Sequence, residues 1–472
     1  MTGLIAVELN DAGIVVARAS ADGAARVEGE PSPGFAQLQD GKVLLGAEAA
    51  LRYRIAPLHA QNRFWHALGL EPLPWTARGI ATAADLAHAH LSVVLAASVA
   101  EGADEFVLAV PPGYTREQLG LLVGIANECG GIVRGLVDLG LAACSTTPPA
   151  EHLLHLDLQL HQATATLVDT ARAESTLRRS RYELLPGTGV LAFQQAIAAT
   201  IATTFVRETR FDPLHEASTE QRLYDRLPGW LDALTQADQV PVEIEFGTMS
   251  NRITLERAQV VQAMETLGGD VLRLVQAARP AGTPLRVCVS PRVAAMPGLV
   301  DRLKTLRDCT IVLLPMGAAA LGALQAAAHI VRPPEAIALV HRLPLSGAVE
   351  TAPGATASLD HVASDQVPTH VLYRGCAWPV TLVPLAVGWS VTGAPRALGL
   401  PAGIAGVSRS HCTLRQLDGQ VVVEDHSTYG TFVNDERVGG RVALRVGDLL
   451  RLGAPGVTLE LIRVLADHAE IP

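Results

Sequence analysis

Lysine is nearly absent from this chain: of 472 residues only Lys42 and Lys304 are lysines, and arginine supplies almost all the positive charge. We interpret this bias first as a consequence of genome composition. It removes lysine chemistry from nearly every candidate site. The net charge of −10 comes with no basic cluster, which argues against nucleic acid or an anionic membrane surface as a partner. We therefore expect a protein that neither binds nucleic acid nor inserts into a membrane.

Cysteine is also scarce, and its spacing argues against a metal site. The cysteines form neither a Cys-x-x-Cys pair nor a cluster with histidine, so no metal is expected. They lie at positions 129, 144, 288, 309, 376 and 412. The first residues lack a basic region followed by an apolar core and a cleavage site, so no secretion signal is predicted. A reduced cytoplasm fits both observations.

One long apolar run, IVLLPMGAAALGALQAAAHIV at 311–331, is uncharged over membrane-spanning length. The run is mostly alanine and contains Pro315, Gly317 and His329. We predict that it is a buried strand leading into a buried helix, not a membrane segment.

The patterning along the chain predicts two domains joined by a linker, since the chain is too long for one ordinary core. Residues 1–332 alternate short β-branched runs with longer alanine-rich helical ones, as is typical of an α/β domain. Residues 333–367 are rich in Pro, Ala, Ser and Gly and predict a flexible linker with at most a short strand near 337–340. Residues 368–472 show only strand and turn patterns, which predicts an all-β sandwich.

Four segments of the α/β region carry a recognisable pattern when taken in order: GKVLLGAEAALRYRIAPLHAQNRFWHALG, FVLAVPPGYTREQLGLLVGIANECGGIVRGLVDLGLAACS, LRVCVSPRVAAMPGLVDRL and PMGAAALGALQAA. They resemble the actin-like ATPase superfamily, and in particular the nucleotide-binding domain of the seventy-kilodalton heat-shock chaperones. The resemblance implies two ribonuclease H-like halves around a nucleotide cleft.

The glycines that such a cleft requires are missing. The family's first phosphate hairpin reads Asp-x-Gly-Thr-Thr, and this chain has ELNDA at 8–12. The second reads Asp-x-Gly-Gly-Gly-Thr, and this chain has DLQLHQ at 157–162. Side chains at these positions block the approach of backbone N–H groups to a phosphate. The adenosine Gly-Gly is replaced by Ser290-Pro291, and no lysine stands at 63–66.

We therefore expect a pseudo-ATPase that binds neither ATP nor Mg²⁺, needs no cofactor and has no catalytic residues. The degenerate nucleotide site implied by the resemblance comprises Glu8, Asn10, Asp157, Gln159, Ser290 and Gly317.

The β region carries a sharper pattern. VSRSHCTL at 407–414 is followed by DHSTYGTFVND at 425–435 and later by LRVGDLLRLG. The three motifs, in this order and spacing, are strongly similar to the forkhead-associated (FHA) domain, with its Ser-Arg-x-His and Ser-x-Asn-Gly-Thr motifs. That family binds phosphothreonine peptides on loops at one end of a β-sandwich. A phosphate dianion needs a hydroxyl, a guanidinium and backbone donors that converge on it.

The resemblance implies a role for each matching position. Ser408 would donate its hydroxyl to the phosphate, Arg409 would lie beside it, and Thr428 would contact the phosphate or the peptide backbone. The residues expected to shape the loops are His411, Gly430, Thr431 and Asn434.

Two departures from the family affect this site. The phosphate-gripping arginine of the family's Gly-Arg is replaced by Trp389, which leaves Arg396 as the nearby substitute. The asparagine of Ser-x-Asn-Gly is replaced by Tyr429, which removes one contact to the peptide main chain. A sandwich that binds its partner without phosphate therefore stays open as an alternative.

These observations predict a cytoplasmic, non-enzymatic adaptor whose FHA domain recruits a protein partner. The alternatives are a nucleotide-dependent chaperone-like switch with an FHA recruitment module, and a structural subunit of a secretion or pilus-type assembly. The sequence leaves the partner, the kinase and the oligomeric state open.

Overall fold

The computed structural model divides the chain into two units, Met1–Glu350 and Thr351–Pro472. It describes residues 3–19, 24–171, 175–280, 282–333, 337–345, 367–373, 376–391, 394, 396–401, 403–404, 406–417, 419–434, 436–453 and 456–462.

The first unit is rich in strands, with helices between them. In chain order the strands are β1 (Leu4–Glu8), β2 (Ile14–Ala19), β3 (Ala25–Ser32), β4 (Ala36–Gln39), β5 (Lys42–Leu45), β6 (Ala60–Gln61), β7 (Pro72–Ala77), β8 (Ile80–Thr82), β9 (Glu105–Val110), β10 (Ile132–Asp138), β11 (His152–Leu158), β12 (Gln162–Ala171), β13 (Thr176–Pro186), β14 (Gln239–Phe246), β15 (Met249–Glu256), β16 (Leu285–Val289), β17 (Cys309–Leu313), β18 (Leu339–Val340) and β19 (Arg342–Pro344). The helices are α1 (Gly46–Ala50), α2 (Ala83–Ala100), α3 (Arg116–Glu128), α4 (Leu139–Ser145), α5 (Val190–Thr209), α6 (Ala217–Gln236), α7 (Arg257–Ala263), α8 (Glu265–Ala278), α9 (Pro291–Ala294), α10 (Leu299–Leu303), α11 (Ala318–Gln325) and α12 (Ala327–Ile330), with a 3₁₀ turn at Pro57–His59.

Two six-stranded sheets of the same design organise this unit. The first has the order β18-β10-β9-β1-β2-β3 and the second the order β17-β16-β11-β12-β13-β19. In each sheet, three consecutive strands form antiparallel hairpins, and two later strands add in parallel beside the first of the three. Three small sheets, β5-β4-β6, β7-β8 and β14-β15, complete the unit.

Apolar side chains pack on both faces of these sheets. One cluster joins α2 and α3 to the first sheet, and another joins α5, α6 and α8 to the second. A third cluster contains α4, α11 and residues of both sheets, so these two alanine-rich helices pack between them. Helices α2 and α3 start at capping boxes, in which Thr82 pairs with Asp85 and Thr115 with Gln118.

Helices α2 and α5 are long and apolar enough to cross a membrane by length and composition, as core helices of soluble proteins also can be. Each lays a fully buried face on the unit's core, with Leu91 in α2 and Phe205 in α5 among the contacts. The apolar run at 311–331 forms an edge strand and two short helices. The prediction of a buried strand there is wrong, because β17 is only partly covered, whereas α11 is largely buried as predicted.

Residues 337–345 belong to the first unit. Strand β18 pairs in parallel with β10 at one edge of the first sheet, and β19 pairs antiparallel with β13 at one edge of the second. The predicted linker therefore does not begin at 333, because these short strands satisfy backbone groups at both sheet edges. Residues 346–366 of the predicted linker lie outside the described residues.

The second unit is built from strands alone in its described part. They are β20 (His370–Tyr373), β21 (Cys376–Pro379), β22 (Leu385–Gly388), β23 (Ala397–Gly399), β24 (Cys412–Leu417), β25 (Gln420–Asp425), β26 (Thr431–Val433), β27 (Glu436–Arg437), β28 (Arg441–Leu444), β29 (Leu449–Leu452) and β30 (Val457–Ile462). They form a sheet of order β21-β20-β30-β29-β26-β27 and a sheet of order β23-β22-β24-β25-β28. Inward-facing residues of both sheets share one apolar cluster, which makes this unit a β-sandwich as predicted.

Candidate functional site

A buried histidine connects two loops at one end of the sandwich. His411 Nδ1 accepts a hydrogen bond from the Ser408 N–H at 3.0 Å, and Nε2 lies 3.1 Å from the Gly430 carbonyl oxygen. An acceptor at Nδ1 and a carbonyl facing Nε2 assign the proton to Nε2, so the ring is neutral. Burial lowers the pKa of His411, which keeps the ring in this state. The side chain thus braces the Ser408 loop against the 427–430 turn.

The turn between β25 and β26 is held by its own side chains. Asp425 Oδ1 accepts hydrogen bonds from the Ser427 N–H at 3.0 Å and the Thr431 hydroxyl at 2.7 Å. The Gly430 N–H donates to Ser427 Oγ at 2.8 Å. Gly430 has φ +85°, a conformation that favours glycine. The turn therefore holds Thr428 in a fixed, exposed position.

Asn434 stabilises the far side of the same hairpin. Its Nδ2 donates to Asp448 Oδ1 at 2.8 Å, and its Oδ1 accepts from the Leu449 N–H at 3.0 Å. Its backbone has φ +51°, which asparagine tolerates better than most residues. Thr431 and Asn434 therefore lie in the framework of the loops.

Ser408 and Thr428 come together as the motif predicts. The Thr428 N–H donates to Ser408 Oγ at 3.2 Å, which leaves the Ser408 hydroxyl proton available to a ligand. Arg409 follows at the surface, where its carbonyl accepts a hydrogen bond from the Ser390 N–H at 3.0 Å. Its guanidinium has no hydrogen-bond or ion-pair partner among the described residues. A hydroxyl, a guanidinium and the turn backbone are thus adjacent, which is the donor set that a phosphate requires.

The two departures from the expected pattern lie next to this loop. Gly388 is tightly packed, since a methyl group added to it would lie 2.1 Å from the Arg409 carbonyl oxygen. The next residue, Trp389, donates its backbone N–H to the Ser408 carbonyl at 3.4 Å, and its side chain is 40% exposed. Tyr429, at the tip of the turn, is 59% exposed. The surface around Ser408 therefore carries two exposed aromatic rings.

Arg396 does not join this site. Strands β22 and β23 are parallel with Gly388 opposite Gly399, so Arg396 lies where β22 begins, whereas Ser408 lies where β22 ends. Its guanidinium donates to the Thr381 hydroxyl at 2.6 Å and also bonds the Pro379 carbonyl. The prediction that Arg396 substitutes for the missing arginine is therefore not supported, because its donors fix a loop at the opposite end of the sheet.

Comparison with known families decides what this sandwich is. A family model described as FHA domain matches residues 400–453, which contain Ser408, His411 and the 427–430 turn. Residues 400–453 form an FHA domain. A search of curated proteins finds no match to the chain. Because FHA domains bind phosphopeptide segments of protein partners, the FHA domain indicates a role in protein–protein interaction.

The FHA domain has a second exposed arginine that the sequence comparison did not single out. A methyl group added to Gly430 would lie 2.9 Å from Nε of Arg437, so the guanidinium lies against the turn that carries Thr428. Arg437 ends β27, which pairs with β26 so that Arg437 faces Phe432 across the ladder. Its position three residues after Asn434, in the hairpin that follows the turn, is not a distinctive sequence signal.

The first unit contains a buried charge cluster where the resemblance expects a nucleotide. Arg292 Nη2 donates to Glu8 Oε1 at 2.7 Å, and its Nε and Nη2 donate to Asp157 at 2.9 and 3.0 Å. Glu8 ends β1 and Asp157 lies near the end of β11, so the guanidinium joins the two sheets. The Ala319 N–H at the start of α11 donates to Glu8 Oε2 at 3.1 Å.

The other residues of the degenerate site extend this cluster or pack beside it. Asn10 Nδ2 donates to Asp157 Oδ2 at 2.8 Å, and Gln162 Nε2 donates to Gln159 Oε1 at 2.6 Å. Ser290 caps α9 through the Val293 N–H. Gly317 is outside the cluster and is the N-cap of α11, with φ +72°.

Asp11 lies beside a small cavity that is lined by residues of the β1–β2 and β11–β12 hairpins. Its Oδ1 accepts from the Leu160 N–H at 2.8 Å, and its buried Oδ2 has no partner among the described residues. Burial raises the pKa of Asp11 to about 6, in spite of the Leu160 hydrogen bond. The cavity measures about 110 Å³ and is also lined by Trp65, His66 and Tyr114. Within the described ranges, no group of three or more His, Cys, Asp or Glu side chains could hold a metal ion.

Proposed function

We propose that this chain is a non-enzymatic adaptor whose FHA domain binds a phosphothreonine-containing segment of a protein partner. The observation that supports this function best is the contact between Ser408 Oγ and the Thr428 N–H, beside an Arg409 guanidinium that has no partner in the described part of the chain. The two loops that a phosphate would bridge are already joined, so little conformational entropy would be lost on binding.

Each group has a defined task in this proposal. The Ser408 hydroxyl donates its proton to one phosphate oxygen, and the Arg409 guanidinium neutralises the dianion. Thr428, on the rigid turn, contacts the phosphate or the peptide backbone through its hydroxyl. His411 positions Ser408 and touches no ligand, because both ring nitrogens are occupied by the two loops.

We also propose that the first unit is a degenerate actin-like domain that serves as a platform and not as an ATPase. The repeated strand order supports this, since both sheets place strands in the sequence third, second, first, fourth, fifth. Arg292 supports the loss of nucleotide binding, since the guanidinium is already neutralised by two buried carboxylates. Asp11 and Asp157 would add negative charge beside a phosphate chain.

The FHA proposal is tested by fluorescence anisotropy on the purified full chain. The probe is a labelled pool of phosphothreonine peptides with randomised flanks, compared with the same pool without phosphate. We expect binding of the phosphorylated pool, weakened about tenfold or more by Ser408→Ala, which removes one charge-assisted hydrogen bond. Ser410→Ala is the matched control, since Ser410 is exposed in the same loop. Equal affinity for both pools would reject the proposal.

A further inference from the structure

The FHA domain lacks an arginine at the position after Gly388, where its family places one, and the structure has a different cation near the phosphate loops. Arg396 is committed to the Thr381 loop. Among the described residues, Arg409 and Arg437 are the exposed arginines whose positions adjoin Ser408 and the 427–430 turn, respectively. A phosphate dianion is bound best by more than one guanidinium, because each supplies paired N–H donors and a charge.

The position of Arg437 is set by the turn itself. Its Nε, Cζ and Nη2 lie 2.9, 3.4 and 3.4 Å from the position of a Cβ on Gly430, so the flat guanidinium covers the glycine. Gly430 is fixed by Ser427 through its N–H and by His411 through its carbonyl. The Arg437 guanidinium therefore lies against Gly430 in a rigid turn, and Gly430 is two residues from Thr428 in the sequence.

Among the described residues Arg437 has no ion-pair partner, whereas other arginines of the same domain have one. Arg415 and Arg441 both lie within 4 Å of Glu424, at 3.9 and 3.3 Å. Arg437 is exposed and forms no ion pair with any other residue in the described part of the chain. An exposed guanidinium that is not neutralised locally is free to bind an external anion.

We propose that Arg437, on the hairpin that follows the Thr428 turn, provides the second guanidinium for the phosphate. This inference rests on the proposed phosphothreonine binding and names the residue that replaces the arginine lost at Trp389. The cation is thus supplied by the β26–β27 hairpin and not by the end of strand β22. The bound dianion is then contacted by the Arg409 and Arg437 guanidinium groups as well as by Ser408 and Thr428.

The test compares Arg437→Gln with Arg445→Gln on the full chain, using the phosphothreonine peptide pool and its unphosphorylated counterpart. Arg445 is the matched control, because it is exposed and lies beyond the end of β28 that pairs with Val421, away from the turn. We expect Arg437→Gln to weaken binding of the phosphorylated pool about tenfold, and Arg445→Gln to leave it unchanged. Binding by Arg437→Gln should also depend less on KCl concentration than binding by the wild type.

The outcomes separate this inference from the function on which it rests. If Ser408→Ala removes the preference for phosphate while Arg437→Gln binds like the wild type, the inference is overturned and the proposed function stands. If the wild type binds both pools equally, both are overturned. If Arg437→Gln does not fold, the same binding measurement is made on Arg437→Lys. It keeps the charge but loses the fork, and wild-type affinity in that variant would overturn the inference.

Discussion

Arg292 holds Asp157 through two parallel hydrogen bonds, Nε to Oδ1 at 2.9 Å and Nη2 to Oδ2 at 3.0 Å, inside the first unit. Burial raises the pKa of Asp157, but the charge and hydrogen bonds of Arg292 outweigh burial and hold that pKa well below its usual range. The carboxylate therefore stays ionised at all physiological pH values. A buried, forked pair of this kind is costly to break from either side.

Removing Arg292 should strongly destabilise the first unit. Arg292→Met leaves Glu8 and Asp157 buried without their cation, and we expect a loss of about 3 to 5 kcal/mol in the free energy of unfolding. Urea denaturation followed by tryptophan fluorescence measures it. The control is Arg257→Gln, because the ion-pair partner of Arg257, Asp301, is exposed. This substitution should lower the free energy of unfolding by about 1 kcal/mol or less. A loss no larger than the control would show that the cluster contributes little.

The full chain should not bind Mg²⁺·ATP tighter than about millimolar, because several phosphate contacts of about 1 kcal/mol each are missing. Isothermal titration calorimetry is the measurement, with Mg²⁺·ADP titrated in parallel. Micromolar binding of either nucleotide would contradict the pseudo-ATPase proposal. Arg292→Ala should not restore binding, because Glu8 and Asp157 would remain as buried negative charges.

Replacing Asp11 should stabilise the protein in a pH-dependent way. Burial raises the pKa of Asp11 to about 6 from its usual 3.8, so the folded state binds this proton more tightly than the unfolded state. Folding stability from this group therefore falls as pH rises from about 4 to 6. Asp11→Asn keeps the acceptor for the Leu160 N–H and removes the charge. We expect a gain of at most about 3 kcal/mol at pH 7.5 and a smaller gain at pH 5.

Thermal or chemical unfolding at those two pH values measures the Asp11 effect. A gain that is the same at pH 5 and pH 7.5 would show that Asp11 does not titrate in this window. Asp40→Asn, at an exposed position, is the control and should change stability little at either pH.

His411 should link the stability of the FHA domain to pH. Burial lowers its folded pKa below the usual value of 6.5, so the unfolded state binds the proton more tightly. The stability that depends on the neutral ring is complete above pH 6.5 and is lost as pH falls through the folded pKa. We expect His411→Gln to destabilise the domain by about 2 kcal/mol or more at pH 7.5 and to flatten this pH dependence.

The exposed His426, which bonds to Thr413, provides the matched variant for His411. His426→Gln should retain both the stability and the phosphopeptide affinity of the wild type. Identical behaviour of the two histidine variants would refute the bracing role of His411.

Local sequence motifs predicted the FHA loops well because the contacts involved are close in sequence. Ser408 bonds His411 three residues away, and the 425–431 turn is held by its own side chains. Arg437 was missed because an exposed arginine after a turn has no distinctive spacing. Arg396 was assigned wrongly because closeness in sequence to Trp389 says nothing about which end of a strand a residue occupies.

Long-range charge contacts were not predictable by the same means. Arg292 binds partners 135 and 284 residues away, so no local pattern connects them. A short strand near 337–340 was predicted and corresponds to β18, whereas β19 was hidden by its length and by neighbouring prolines, which suggested a linker. Residues 257–278 form two helices, α7 and α8, with Met264 between them, and hydrophobic spacing alone does not reveal such a break.

The short strands β18 and β19 also determine where the first unit can be cut. A fragment that stops at residue 332, the boundary suggested by composition, would uncover the outer edges of β10 and β13 at once. Bare strand edges pair with other molecules, so that fragment should form aggregates, while one that continues through residue 345 should stay monodisperse. A few residues beyond the apparent end of the domain thus protect the edges of both six-stranded sheets from pairing with other copies of the chain.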